Sequence, residues 1–184
     1  GARLNWLNTS TGKTAAYDLA WDGSAWSMNL WSSGDAWQAG GENLYRNKNA
    51  SYFLPSDNEW YKAAYYKGGG TNAGYFLYPT ASSSVPTAVA SGTGAGTAVY
   101  NNAASFPATV DSAGGLSPYG TMGQGGNVFE WNESAFDGSN SSSSEDRAVR
   151  GGFWNSTGLG LSSSGRGSFG PSVENSTVGF RVAS

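Results

Sequence analysis

Residues 119–131 read YGTMGQGGNVFEW, and this stretch decides how the chain folds. Gly126 and Asn127 favour a tight turn, because both residue types accept backbone angles that other residues avoid. The apolar residues that follow predict a buried strand ending on a large aromatic side chain, Trp131. The stretch therefore predicts a turn that leads directly into a strand of the core.

A second block precedes it and predicts a helix. Residues 52–60 read YFLPSDNEW, in which Ser56 and Glu59 have the spacing of a helix capping box. The apolar positions that follow extend the predicted helix to Tyr66, and the glycines at 68–70 end it. This is the clearest helical segment of the chain.

A third block closes the chain. Residues 149–154 read VRGGFW and residues 178–183 read VGFRVA. We predict a strand at 147–153 and another at 178–183, with Trp154 and Phe180 as large apolar anchors like Trp131.

In this order, the three blocks resemble the formylglycine-generating enzyme (sulfatase-modifying factor) family, whose patterns are L-P-S/T-x-x-E-W, Y-G-x-x-D-x-x-G-N-V-W-E-W and R-G-G-S-W with a closing G-F-R-V/L. The resemblance covers residues 52–183 and extends toward the start through residues 43–47 and through Trp6 and Leu7. It implies an α+β C-type lectin fold of the formylglycine-generating-enzyme type, with small twisted antiparallel sheets, two helices and much irregular loop. We expect a single domain over residues 1–184 in which the family's N-terminal hairpin is missing.

The same resemblance raises the question of catalysis. The oxidase branch of the family has two copper-binding cysteines shortly after R-G-G, whereas residues 153–161 read FWNSTGLGL here. The chain has no cysteine and no histidine, which excludes a thiol nucleophile, thiolate or imidazole metal ligands and histidine acid–base catalysis within it. We expect no catalytic residues. The alternative is an enzyme, or the remnant of one, that uses carboxylates or a bound metal.

The family often holds calcium around its second block. The matching ligands here would be the backbone of Gly126 and Val128 with the carboxylate of Glu130, while Gly123 stands where the family supplies a side-chain oxygen. Because calcium takes 6–8 oxygen ligands, the resemblance implies a weak site at most, and we expect no other cofactor. The alternative is that Glu130 is a structural acceptor in a network in which Arg150 and Arg181 pair with Glu59 or Glu130.

The remaining segments give coarser expectations. Residues 2–8 predict a short helix, and residues 16–21 and 25–31 predict a hairpin around Asp22-Gly23-Ser24. Residues 80–118 predict a long ordered loop that packs through Tyr100, Phe106 and Val110. Residues 139–145 predict a flexible serine-rich tip.

The span between the block at 149–154 and the block at 178–183 is polar. Residues 155–177 are rich in Ser, Gly and Asn, a composition typical of adaptable binding surfaces. Variable proteins of diversity-generating retroelements, a subset of the resembled family, diversify this span at asparagine-type codons. From 153 to 177 only Trp154 and Glu174 lie outside the residues that such codons reach, so a diversified binder and a fixed paralogue remain equal alternatives.

The span supplies the predicted ligand-binding residues. They are Phe153, Trp154, Asn155, Ser156, Thr157, Gly158, Gly160, Ser162, Gly165, Gly167, Ser168, Phe169, Val173, Ser176 and Thr177.

The net charge and the hydropathy of the chain limit the classes of partner that it could bind. Ten basic and 13 acidic residues give a net charge of −3, which lacks the basic footprint of a nucleic-acid-binding protein. No stretch approaches the roughly 20 apolar residues of a membrane span. We therefore expect a protein or another macromolecular ligand, no nucleic acid and no membrane span, with a structural or surface-display module as a further alternative. The sequence does not identify the ligand, the oligomeric state or the cellular location. The cell surface and the secreted fraction are both compatible with it.

Overall fold

The computed structural model describes residues 1–37 and 43–184. The chain begins with helix α1 (Ala2–Ser10) and the hairpin of β1 (Asp18–Trp21) and β2 (Trp26–Asn29). Both the predicted N-terminal helix and the predicted hairpin are confirmed, and Trp21 lies directly opposite Trp26 beside the turn.

Helix α2 (Asp57–Tyr65) confirms the helix predicted from the second block. The Ser56 hydroxyl accepts a hydrogen bond from the backbone of Glu59, whose carboxylate accepts one from the backbone of Ser56 in return. This reciprocal pair satisfies two donors that the first turn of a helix would leave free.

Loops and short elements fill the middle of the chain. A 3-10 turn spans Gly70–Asn72, and β3 (Thr87–Ala88) and β4 (Thr97–Ala98) form a short parallel pair. Asn127 anchors this region with a positive φ of 62°, while its side chain accepts a hydrogen bond from the backbone of Ala108 and donates one to it. Asparagine tolerates this backbone angle better than most residues.

The main sheet has four strands in the order β7-β6-β5-β8. These are β5 (Phe129–Ala135), β6 (Arg147–Arg150), β7 (Gly167–Phe169) and β8 (Val178–Gly179), with the short helix α3 (Gly158–Leu161) between β6 and β7. Neighbouring strands run antiparallel except β5 and β8, which are parallel. The α+β class is confirmed, but the described residues hold three α-helices rather than the two expected, and two of the strand pairs are parallel.

Three groups of buried side chains hold these elements together. Leu4, Ala16, Tyr17 and Tyr45 fill the N-terminal core, and Trp60, Ala64 and Tyr65 bury one face of α2. Tyr78, Ala98, Tyr100 and Leu161 join the middle loops to α3. Aromatic rings are the largest side chains in all three groups, and each buries a large apolar area.

Several expectations for the loops and anchors are wrong. Tyr100 is buried as predicted, but Phe106 and Val110 are 76% and 86% exposed, because Asn127 rather than an apolar contact anchors their loop. Phe180 is 48% exposed rather than buried.

The two predicted C-terminal strands are shorter than expected. β6 ends at Arg150 because Gly151 and Gly152 have φ angles of +91° and +72°, which a continuing strand does not adopt.

The serine-rich tip folds around Glu145, whose carboxylate accepts hydrogen bonds from the backbone of Ser141 and Ser142. Within the described residues, no helix is long and apolar enough to cross a bilayer.

Candidate ligand-binding surface

The face of the main sheet that packs on α2 holds paired charges. Glu130 is 6% exposed, and its carboxylate accepts hydrogen bonds from Nε and Nη2 of Arg181, each at 2.6 Å, and from Nε1 of Trp60 at 2.6 Å. The predicted pairing of Arg181 with Glu130 is confirmed. A buried carboxylate held by a bidentate arginine is a strong charge-assisted contact that fixes β5 against the C-terminal segment.

Arg150 takes a different partner from those predicted. Although it lies opposite Glu130 across the sheet, its Nε and Nη2 donate to Asp57 at 2.6 and 3.0 Å. Glu59 is committed to the capping box and to Arg46, with an N–O distance of 3.2 Å. Burial alone would lower the pKa of the Arg150 guanidinium, but the hydrogen bonds and charge of Asp57 raise it overall.

A buried carboxylate lies where the sheet meets the N-terminal core. Glu133 is 4% exposed and accepts hydrogen bonds from Asn43 and from the Tyr17 hydroxyl, while Arg46 pairs with it at 2.9 Å. Burial raises the pKa of Glu133 to about 8 against the lowering effect of Arg46. Perturbed carboxyl groups mark many active sites, and Glu133 is among the residues that line the groove described below. Its carboxylate is nevertheless held by Asn43, Tyr17 and Arg46.

The predicted calcium ligands do not fit a cation well. Both oxygens of Glu130 accept hydrogen bonds from Arg181, whose positive charge would repel calcium, and Gly123 offers no side-chain oxygen. Among the described residues, no three acidic side chains cluster as a metal site would need. Calcium at Gly126, Val128 and Glu130 stays a prediction, and the geometry favours the structural alternative.

The opposite face of the sheet is aromatic and half-exposed. Phe129 and Trp131 alternate along β5 with the buried Glu130, so they point away from α2. The ring of Phe169 on β7 lies 6.1 Å from Phe129 and 6.0 Å from Trp131, and the ring of Phe153 lies 5.4 Å from Phe129. We call these four residues the aromatic face.

A groove adjoins the aromatic face. It encloses about 720 Å³ and is lined by Trp131 and Phe180, by Trp26 and Met28 of the hairpin, and by Glu174 of the loop before β8. Its volume is within the range of small-molecule and peptide pockets, and its apolar walls with a few polar groups are typical of them. The aromatic face and the groove together form a surface that a ligand could contact.

The structure sorts the predicted ligand-binding residues by exposure. Exposed side chains are those of Asn155, Thr157 and Ser176. Half-buried positions are Phe153, Trp154, Ser156, Gly158, Gly160, Gly165, Gly167, Ser168, Phe169, Val173 and Thr177, and Ser162 is buried.

Some of these positions contribute to the packing of the segment itself. The Ser156 hydroxyl accepts a hydrogen bond from the backbone of Phe153 at 2.9 Å. A Cβ atom on Gly160 would lie 3.1 Å from Ser156, and one on Gly165 would lie 2.6 Å from the carbonyl oxygen of Gly160. A larger residue at Gly165 would therefore clash with the backbone, whereas one at Gly160 would crowd the side chain of Ser156. Ser162 packs inside the segment.

The sequence-based prediction also missed contributors to the surface. Phe129, Trp131, Trp26 and Glu174 line the aromatic face or the groove, and none of them was among the predicted ligand-binding residues. The alternation of large and polar residues along 129–132 was the signal that could have assigned Phe129 and Trp131 to an outer face.

Comparisons with known proteins agree with this architecture. No functionally curated protein matches the chain. Among solved structures, variable protein 1 of Treponema denticola is similar over 98% of this chain and 66% of its own, with 23% identity and a TM-score of 0.62. A protein named CarF is similar over 97% of this chain and 61% of its own, with 21% identity and a TM-score of 0.61.

The chain thus spans less than two thirds of the length of either protein, and likeness at this identity shows the fold alone. The family model described as the Sulfatase-modifying factor enzyme 1-like domain matches residues 11–184. The predicted C-type lectin fold of the formylglycine-generating-enzyme type is thereby confirmed, and the chain belongs to the family of Sulfatase-modifying factor enzyme 1-like domains.

Proposed function

We propose that the chain is a non-catalytic binding module whose ligand contacts the aromatic face, the adjoining groove and the exposed C-terminal loops. The observation that carries this proposal is the row of half-exposed rings of Phe129, Trp131, Phe153 and Phe169 beside a groove of about 720 Å³. Partly exposed aromatic side chains supply large contact areas at little conformational cost, as binding surfaces do.

The charges of the site support binding over catalysis. Of the carboxylates near this surface, Glu130 and Glu133 accept hydrogen bonds from fixed donors, whereas Glu174, which also lines the groove, is exposed to solvent. A general base needs a free lone pair within reach of a substrate. With no histidine or cysteine in the chain, these two carboxylates are poorly placed to act as one.

A finer proposal concerns the diversified alternative. If asparagine-type codons vary the span, tolerated changes should concentrate at the exposed Asn155, Thr157 and Ser176 and spare Gly160 and Gly165, where a Cβ would crowd or clash with its neighbours. Sequencing the locus from closely related isolates tests this. Variation spread equally over exposed and packed positions, or none at all, would favour a fixed paralogue.

The binding proposal is tested by exchanging the exposed side chains together. The variant Asn155→Ser, Thr157→Asn, Ser176→Asn should keep the wild-type melting temperature, because surface changes of this kind usually alter stability by no more than about 0.5 kcal/mol. On an array of extracellular proteins and glycans, it should lose or change the ligands that wild type captures. The matched control is Ser91→Asn with Thr93→Asn, two exposed residues in another loop.

If both variants retain the wild-type ligands, the ligand does not contact these loops. If the first variant unfolds, the span belongs to the core and the proposal loses its basis.

The enzyme alternative has its own test. The chain, incubated with copper and a peptide that contains Cys-x-Pro-x-Arg, should leave the cysteine unchanged, because it has no thiol to hold the copper. Mass spectrometry would detect formylglycine, and its appearance would contradict the non-catalytic assignment.

A further inference from the structure

A second surface lies on the outer side of α2, away from the aromatic face. Tyr61 and Tyr66 come from α2 and its C-terminal cap, Tyr75 from the arm after the 3-10 turn, and Tyr119 from the loop that Leu116 and Met122 close. Ring centroids lie 5.1 Å apart for Tyr61 and Tyr75, 5.4 Å for Tyr66 and Tyr75, and 6.4 Å for Tyr66 and Tyr119. We call these four residues the tyrosine patch.

The tyrosine patch keeps polar groups available. Tyr75 and Tyr119 are 48% and 52% exposed, and within residues 1–37 and 43–184 none of the four hydroxyls has a hydrogen-bond partner. By contrast, the hydroxyl of the buried Tyr65 donates to backbone carbonyls in α3 and just after it. Rigid aromatic rings with free hydroxyls are the residue type most enriched in protein recognition surfaces.

Two lysines lie beside the patch, and the nearby Asp57 is paired with Arg150, whose guanidinium lies 5.1 Å from the centroid of the Tyr61 ring. Nζ of Lys62 lies 5.8 Å from the centroid of the Tyr66 ring, and Nζ of Lys67 lies 4.8 Å from that of the Phe76 ring. Within the described part of the chain neither lysine forms a salt bridge. Residues 60–110 contain Lys62 and Lys67 but no aspartate or glutamate, so this segment has a net positive charge although the whole chain carries −3.

We propose that the tyrosine patch binds an acidic, extended peptide segment of a partner protein. Extended and proline-rich segments bind shallow surfaces lined with aromatic rings, since their backbone carbonyls are free to accept hydrogen bonds. The hydroxyls of Tyr75 and Tyr119 are suitable donors for those carbonyls. Lys62 and Lys67 supply the complementary charge that selects acidic over basic segments.

The experiment measures fluorescence anisotropy of two labelled peptides, one alternating Glu with Pro and one alternating Lys with Pro. The acidic peptide should bind and the basic peptide should not. Lys62→Glu and Lys67→Glu should each weaken the acidic peptide about tenfold, equivalent to about 1.4 kcal/mol. Tyr119→Ala should weaken it comparably, and the exposed Lys13→Glu, which makes the same charge change after α1, should leave it unchanged.

Melting curves of every variant should match wild type, which separates lost binding from lost fold. The proposal is overturned if the acidic peptide does not bind, or if Lys13→Glu weakens it as much as Lys62→Glu. Tighter binding of polygalacturonate or of single-stranded DNA than of the peptide would also overturn it, because the patch would then serve another class of polymer.

Discussion

The two faces of strand β5 differ in burial and in the kind of side chain that they carry. Toward α2, Glu130 and Asn132 are buried and hydrogen-bonded to Arg181, Trp60 and Asp57. Away from α2, Phe129 and Trp131 are half-exposed beside other rings. The period-two alternation of a strand thus lets one segment hold the fold on one side and present a surface on the other.

Breaking the buried side should have the largest effect. Glu130→Gln removes the charge that compensates Arg181, whose side chain is only 21% exposed and would be left without a charged partner. Removing one partner of a buried ion pair costs about 3–5 kcal/mol, which for a chain of this length corresponds to a melting temperature roughly 10 °C lower.

Thermal denaturation followed by circular dichroism measures this change, and the exposed Glu174→Gln is the matched control. An unchanged melting temperature for Glu130→Gln would mean that the buried side does not hold the fold, and the contrast between the two faces would fail.

The C-terminal span contains a smaller version of the same contrast. Gly165→Ala should destabilise by about 1–3 kcal/mol, since its new Cβ would lie 2.6 Å from the carbonyl oxygen of Gly160. Asn155→Ala, which is exposed in the same span, should be nearly neutral. Urea unfolding of the two variants beside wild type compares them directly, and equal stabilities would show that the segment yields to the added atom.

Whether a contact of the fold could be predicted from the sequence depends on how far apart its two residues lie along the chain. The capping box of Ser56 and Glu59 could be predicted because both partners lie within one helical turn. The pairing of Arg181 with Glu130 could be proposed from the blocks, but the choice of Asp57 over Glu59 for Arg150 could not, because it depends on how α2 lies across the sheet.

The same reason explains the errors about burial. Phe106 and Val110 are apolar, but the hydrogen bonds of Asn127 fix their loop in an exposed position, which hydrophobicity does not indicate. The sequence also does not indicate which residues of the predicted binding span are exposed. Composition does not distinguish Asn155, which is exposed, from Ser156, whose hydroxyl holds the backbone of Phe153.

The buried Glu133 predicts a pH dependence at the boundary between the two faces. Burial raises its pKa from 4.5 to about 8 in the folded chain, so between these pH values the folded chain holds a proton that the unfolded chain has released. Stability should therefore decline as the pH rises from 4.5 through 8.

The charged and titratable groups around this carboxyl are Arg46, Tyr17 and Glu59. The Gly1 amine, whose pKa burial lowers from 8.0, titrates in the same window and contributes equally to wild type and to Glu133→Gln. Melting curves across this range should slope downward for wild type, and Glu133→Gln should flatten the slope because its amide does not titrate. The same slope in both proteins would show that Glu133 is ionised throughout.

The smallest expected effect is that of calcium, and it tests whether the buried side of β5 is closed to a cation. The ligands that the family resemblance implies are the backbone of Gly126 and Val128 with the carboxylate of Glu130. Both oxygens of that carboxylate accept hydrogen bonds from Arg181, and one accepts from Trp60 as well. A calcium ion needs 6–8 oxygens and would have to displace the guanidinium, while the side chain of Gly123 supplies no oxygen.

Melting curves with calcium and with a chelator should therefore nearly coincide. If calcium instead stabilises wild type and Glu130→Gln abolishes that gain, Arg181 moves aside for the ion, and the buried side of the strand is a binding site as well as a support.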